Sequence, residues 1–178
     1  MKLGVLCSGE GTNFENIVHS CPEHQVVLMI HNTTVCGAKF RAEKLGIPHL
    51  HIHSKYEDKI IEAFKEAKVD LIVCAGWMRI IGKDFIKAFE DKIINIHPSL
   101  LPKYKGLNAV QQALDSGDSV TGCTVHIVTD ELDSGRILNQ AIVPMLDHDD
   151  VESLTKRIHM AEHRILPETL KNLNISSE

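Results

Sequence analysis

A chain of 178 residues is long enough for one domain with a proper hydrophobic core and short for two. It is 43% hydrophobic and 24% charged with a mean hydropathy of −0.06, and its net charge of −5 and pI near 6.1 argue against a protein built to coat nucleic acid or an anionic membrane. No run approaches the ~20 apolar residues of a membrane-spanning helix, and the apolar start MKLGVLC is too short for a signal peptide, so the cytoplasm is the expected compartment. The cysteines at 7, 21, 36, 74 and 123 are odd in number and lack CxxC pairing, which disfavours a disulfide framework and a zinc finger alike.

In chain order, Lys2–Cys7 reads as a buried strand, followed by a glycine turn and a helix to about Ser20 with Phe14, Ile17 and Val18 on one face. Pro22 closes that helix, and Val26–Ile30 is a second strand. A helix over 35–45, stopped by Gly46, leads to a short strand at 47–52 and an amphipathic helix at 56–67. Leu71–Ala75 is apolar on both faces, as in the centre of a parallel sheet covered by helices. After a short helix at 83–89 comes a strand at 92–97, then a helix at 107–115 with Gly117 as its stop. The rhythm then changes. Strands at 121–129 and 136–144 have no helix between them and are expected to pair antiparallel. A long closing helix spans 150–170, with Asp149 or Asp150 as N-cap, and residues 175–178 read as a frayed tail. The expected fold is a single α/β domain with a doubly wound, mostly parallel sheet and antiparallel strands at its C-terminal end.

Ligands of open α/β sheets bind beyond the carboxyl ends of the strands, and four segments fall there. In Ser8–Asn13, Gly9 and Gly11 allow close backbone approach, and the following helix N-terminus suits a phosphate helped by Thr12 and Asn13. Phe14 excludes a GxGxxG dinucleotide fingerprint, and no Gly-Lys-Ser/Thr of a P-loop is present, so a plain tight turn fits equally. Gly76–Ile81 carries the only Trp beside Met78 and Arg79: either a slot for a flat ring with a carboxylate partner, or a packed strand end. Asn95 and His97 sit two apart before Pro98, so strand alternation points both to one face. An amide donor and an imidazole aimed together suit the oxyanion and the travelling proton of acyl transfer, although a polar strand end has the same pattern. In Thr129–Gly135, Asp133 is a carboxylate that could orient an imidazole, in what is otherwise a charged turn. The alternating His49, His51 and His53 lack a carboxylate or cysteine at ligand spacing, so no metal is expected. His159 and His163, four apart on the last helix, are expected to line a site or sit at the surface.

Taken together, these segments resemble the folate-dependent formyltransferases, specifically the branch acting on 5-phosphoribosylglycinamide, over nearly the whole chain. SGEGTN at 8–13 is similar to that family's SGxGSN loop, and AGWMRI at 75–80 to its AGFMRI segment. INIHPSLLPKYKG at 94–106 and GCTVHIVTDELDSG at 122–135 are near-verbatim signatures. The resemblance implies a Rossmann-like formyltransferase fold in one domain over 1–178, with a phosphate-binding half at 1–75 and a folate-binding and catalytic half at 76–178. It implies Asn95, His97 and Asp133 as the catalytic set, with His126 behind them. Gly11, Thr12 and Asn13 would hold the substrate phosphate and Glu162 its ribose. Met78, Arg79, Ile80 and Ile81, with Asn95, would bind folate. The family's usual Arg before the third helix is replaced here by His53-Ser54-Lys55, which leaves that cationic contact unassigned. Lys105, Asn108 and Arg136 replace a common Pro, His and Pro.

The implied reaction moves a formyl group from 10-formyltetrahydrofolate, a co-substrate, to the amine of 5-phosphoribosylglycinamide in purine biosynthesis, without metal, nucleic acid or membrane, in a monomer or homodimer. Alternatives on the same core are formylation of methionyl-tRNA or an amino sugar, and hydrolysis to formate. The start at the first strand and the end near the closing helix, with the acidic pI, set the expectation against the tRNA enzymes and the hydrolases. A non-catalytic nucleotide-binding module is the remaining reading.

Overall fold

The computed structural model describes residues 1–173; the tail expected at 175–178 lies outside them. A seven-stranded sheet runs in the order β3-β2-β1-β4-β5-β6-β7. The strands are β1 (Lys2–Cys7), β2 (Gln25–His31), β3 (His49–His51), β4 (Leu71–Cys74), β5 (Ile93–His97), β6 (Val120–Ile127) and β7 (Ile137–Pro144). The helices are α1 (Thr12–Ser20), α2 (Gly37–Leu45), α3 (Glu57–Glu66), α4 (Lys83–Ala88), α5 (Ala109–Ser116) and α6 (Val151–Asn172). The first five strands are parallel, and β6 and β7 join antiparallel. One sheet therefore passes through both halves of the chain.

Most boundaries shift by a residue or two from those read in the sequence, and three of the shifts bear on the layout. Cys36 stays extended at φ −153°, ψ 157°, so α2 starts at Gly37. The strand expected over 47–52 shrinks to His49–His51, an outer strand paired only with β2. Asn108 adopts a left-handed conformation, φ 56°, which holds back the start of α5 to Ala109. Of the two aspartates considered for the α6 cap, Asp150 serves: its side chain accepts the Ser153 amide while the Ser153 hydroxyl accepts the Asp150 amide.

Strand alternation splits the core into two layers. Leu3, Val5, Leu71, Val73, Ile94, Ile96, Cys123 and Val125 pack with Phe14 and Ile17 of α1, Ala38 and Ala42 of α2, and Leu154, Ile158 and Ile165 of α6. On the other face, Leu6, Leu28, Ile30, Ile72 and Ile93 pack with Ile60 and Phe64 of α3 and Phe85 of α4. The cysteines of the strands are small buried hydrophobes, and burial pushes the thiols of Cys7, Cys74 and Cys123 up to about 11, 12 and 12. Among the described residues no helix is long and apolar enough to cross a membrane.

Toward β6 and β7 the second face has no helix over it in these layers, and the loops at 98–108 and 128–136 approach there instead. Thr124, on that face of β6, donates to the Ser99 carbonyl at 2.7 Å and accepts the Leu101 amide at 3.1 Å. This exchange of helix for loop is what makes room for a site.

Phe64 is fully buried and meets Phe85 and Phe89 edge-on, with centroids 6.5 and 6.4 Å away. Truncation to Phe64→Ala is expected to cost about 3–5 kcal/mol of unfolding free energy in a urea titration; a loss below about 1 kcal/mol would contradict this packing.

Candidate active site

β5 delivers Asn95 and His97 to its carboxyl end, opposite in sense to Ile94 and Ile96, and β6 pairs His126 with Asn95 and Thr124 with His97. His97 is only 6% exposed, and both its ring nitrogens face acceptors. Nε2 donates to the Tyr104 carbonyl at 2.8 Å, and Nδ1 stands 3.5 Å from Asp133 Oδ2. The second distance exceeds a hydrogen bond, and the doubly protonated ring is the form that offers a proton to each side.

His126 lies beside this pair. It donates from Nδ1 to the Ile127 carbonyl at 3.0 Å, so Nε2 is left to accept the Asn95 amide at 3.3 Å. Burial holds His126 below the ordinary histidine value, against the opposing pull of the Ile127 carbonyl and Asp133. A neutral His126 thus orients the Asn95 amide, using one of its two N–H bonds. Asp133 adopts φ 50° in the β6–β7 loop, with Oδ1 3.6 Å from His126 and Oδ2 accepting the Gly106 amide at 2.8 Å. Its carboxylate therefore joins the two loops that cover this face. A cavity of about 210 Å³ opens beside it, between Leu101–Pro102 and residues 131–135.

The glycine loop sits two strands away, after β1. Gly11 has φ 76°, and a Cβ there would lie 2.7 Å from the Ala38 Cα, so the turn admits only glycine. Gly11 is the N-cap of α1 and no side chain caps that end, which leaves the first-turn amides open to an anion. Arg41 of α2 fixes the loop by donating from Nε to the Glu10 carbonyl at 2.7 Å while pairing with Glu15. From α6, Glu162 accepts the Asn13 amide at 3.0 Å, and His163 Nε2 lies 3.2 Å from the Thr12 hydroxyl. The side-chain oxygen Oδ1 of Asn13 is buried without a partner.

Between these centres runs the segment after β4. Ser8 Oγ accepts the Met78 amide at 3.0 Å, and Ser8 N–H donates to the Gly76 carbonyl at 2.9 Å. Met78 and Ile80 are 69% and 79% exposed, an apolar surface in need of a cover. Trp77 is partly buried and packs against the layer that holds α3 and α4, as the packed-strand-end reading has it. Arg79 is exposed and makes no salt bridge among the described residues. Where the family's Arg was looked for, Lys55 lies over the Tyr56 ring, 4.8 Å from its centroid.

The site residues named from the sequence thus lie at the carboxyl ends of β1, β4 and β5, at the start of α1, on β6 and the loop after it, and on α6 beside α1. Arg41, Ser8 and the Tyr104 carbonyl were not foreseen. Ser8 was inside a flagged loop, but main-chain contacts such as that of Tyr104 leave no mark on residue type. His163, foreseen only as lining a site or the surface, meets Thr12. Among the described residues no group of three or more His, Cys, Asp or Glu is arranged to hold a metal. The histidines near β3 turn to one another instead, with His31 Nε2 3.3 Å from His49 Nδ1 and its ring stacked on His51 at 5.4 Å.

This sequence and fold are shared with known proteins. The model of the formyl transferase family covers residues 1–170, and the chain belongs to that family. It is 38% identical to phosphoribosylglycinamide formyltransferase of Haemophilus influenzae over 96% of this chain and 85% of that protein. It is 39% identical to the bovine trifunctional purine biosynthetic protein adenosine-3, of which it spans only 18%. Among solved structures, the phosphoribosylglycinamide formyltransferase of Anaplasma phagocytophilum superposes with a TM-score of 0.94 at 40% identity, over 96% of this chain and 85% of that one. The Bacillus halodurans enzyme of the same name gives 0.94 at 35% identity, over 100% and 97%.

Burial raises the Glu162 carboxyl from 4.5 to about 7, with the Asn13 amide opposing. Between those values the folded chain holds a proton that the unfolded chain has released, so this group makes stability fall as pH rises from about 4.5 to 7. Glu162→Gln is expected to remove that slope and to gain on the wild type by up to about 3 kcal/mol between pH 5 and 8 in urea unfolding. An equal difference at both pH values would sink the assignment.

Proposed function

We propose that this protein transfers the formyl group of 10-formyltetrahydrofolate to the amine of 5-phosphoribosylglycinamide, a step of de novo purine biosynthesis. The observation that carries the reading is Asn95, His97 and Asp133 gathered one strand from the exposed Met78–Ile80 segment and two from an uncapped helix N-terminus. Phosphate would sit on the amides of Gly11, Thr12 and Asn13. Glu162 would meet the ribose, and the unpartnered Asn13 Oδ1 offers a further acceptor. The folate would lie over Met78, Arg79, Ile80 and Ile81, covering apolar surface that water now meets.

In the reaction the acceptor amine forms a C–N bond to the formyl carbon, and the tetrahedral intermediate then breaks its bond to the folate nitrogen. The amine loses one proton and the folate nitrogen gains one, so the proton balance closes. Asn95 still has an amide hydrogen for the developing oxyanion, a donor worth about 3–4 kcal/mol in such sites. Nε2 of His97 is committed to Tyr104, so Nδ1, loosely faced by Asp133, is the side at which a proton is shared with the intermediate. Asp133 supplies the countercharge that an imidazolium needs when 6% exposed. A bound water carrying the proton between the two nitrogens completes the sequence. No metal is called for, and the small phosphorylated acceptor suits a net charge of −5 better than tRNA does. The reading assigns the protein to the cytoplasm, as a monomer or homodimer.

Folate deformylation with and without 5-phosphoribosylglycinamide tests the reading. Acceptor-dependent release is expected; acceptor-independent release would mark a hydrolase, and no release a binding module. His97→Ala and Asp133→Asn are each expected to lower kcat by about 10²–10⁴-fold while circular dichroism stays unchanged. Near-wild-type turnover in either variant would overturn its assignment.

A further inference from the structure

Tyr104 is the outlier of the loop between β5 and α5. It is bulky yet adopts φ 56°, a region that such side chains rarely enter. Its carbonyl accepts from His97 Nε2 at 2.8 Å, and its hydroxyl donates to Asp118 in the turn between α5 and β6. Lys103 Nζ reaches the same carboxylate oxygen at 2.7 Å, and the Lys103 carbonyl accepts from Ser99 Oγ at 2.6 Å. The Lys103 ammonium and the Tyr104 hydroxyl together hold the Asp118 carboxyl below its usual range. Two residues further on, Gly106 gives its amide to Asp133. The loop thus presents one backbone group to the imidazole and another to its carboxylate partner.

We propose that Tyr104, anchored by Asp118, is a positioning residue for His97, a strut whose carbonyl fixes the ring and the proton on Nε2 and leaves the Nδ1 side to the reaction. The inference rests on the formyl-transfer reading for its kinetic consequence only. A left-handed backbone at a tyrosine persists where its surroundings over-determine it, and here the contacts on both ends do so. A flexible loop with the same composition would let the carbonyl drift, and the ring could then rotate or give its Nε2 proton to water. The other groups facing the imidazole are Asp133 and, behind it, His126; Asp118 bonds to Tyr104 and Lys103 and reaches the ring only through Tyr104. The strut therefore has an anchor remote from the reacting atoms, which can be cut without touching them.

The test uses Tyr104→Phe, Asp118→Ala, their double variant and Asp118→Asn, which keeps an acceptor for the hydroxyl. Tyr104→Phe and Asp118→Ala are each expected to lower kcat 5- to 20-fold with both KM values within twofold. The double variant should be no slower than the slower single, because both cut one connection, and Asp118→Asn should recover most of the rate. Side-chain ¹⁵N NMR needs no substrate: the His97 Nε2–H signal should be sharp in the wild type and broadened in both single variants. An unbroadened signal in both variants overturns the strut, and so do multiplicative rate losses. If the wild type transfers no formyl group, the functional reading falls while the NMR comparison still decides the strut.

Discussion

Side-chain alternation along β5 is the constraint on which the site depends. Ile94 and Ile96 go into the layer under α1 and α6, and that burial forces Asn95 and His97 to the other face. A slip of one residue would bury the amide and the imidazole among aliphatic side chains and turn the isoleucines outward. Register is held from both sides, by Cys74 opposite Asn95 in β4 and by His126 opposite it in β6. The change from parallel to antiparallel pairing at this strand has a second effect. The sheet continues into β6 and β7, which pair antiparallel with no helix between them, and their connecting loop carries Asp133.

The polar groups so gathered are buried, and each draws stability from a partner. His97, Thr124, His126 and Glu162 are all under 9% exposed, a setting in which an unmatched polar group costs more than a matched one returns. Matching explains the roles. His126 is kept neutral so that it can accept from Asn95, whereas His97 lies between two acceptors. Two imidazoles a strand apart are thereby assigned opposite hydrogen-bonding duties by their neighbours alone. The exception among these groups, the Asn13 side-chain oxygen Oδ1, lies beside the uncapped end of α1.

Much of this was legible in the residues. The run from Lys2 to Ala75 alternates strand and helix by periodicity alone, and the pairing of Asn95 with His97 follows from a spacing of two. Loss of the helix after residue 117 showed in the two successive β-branched runs, so the antiparallel end was legible as well. Other features were not. Cys36 delays its helix through local dihedrals that no propensity marks. Asn108 is a residue type suited to both a left-handed backbone and a helix N-cap but is not alone enough to fix the start, and the third strand is short because nothing beyond it pairs. The Tyr104 carbonyl is a main-chain group, and residue type does not tell where a carbonyl points. Trp77 looked like a ligand-facing aromatic from its place at a strand end; packing against the α3–α4 layer proved the stronger demand.

The contacts between α1 and α6 have a consequence for how the protein comes into being. Asn13 with Glu162 and Thr12 with His163 are 149 and 151 residues apart in sequence, and Asn16 reaches the His163 carbonyl as well. Such closures carry a large chain-entropy cost and come late in folding. The glycine turn and the sheet can form before α6 docks, with the loop at 8–13 then lacking one wall. The glycine loop is therefore walled on both sides only once α6 has docked, and until then its polar side chains face solvent in place of their partners.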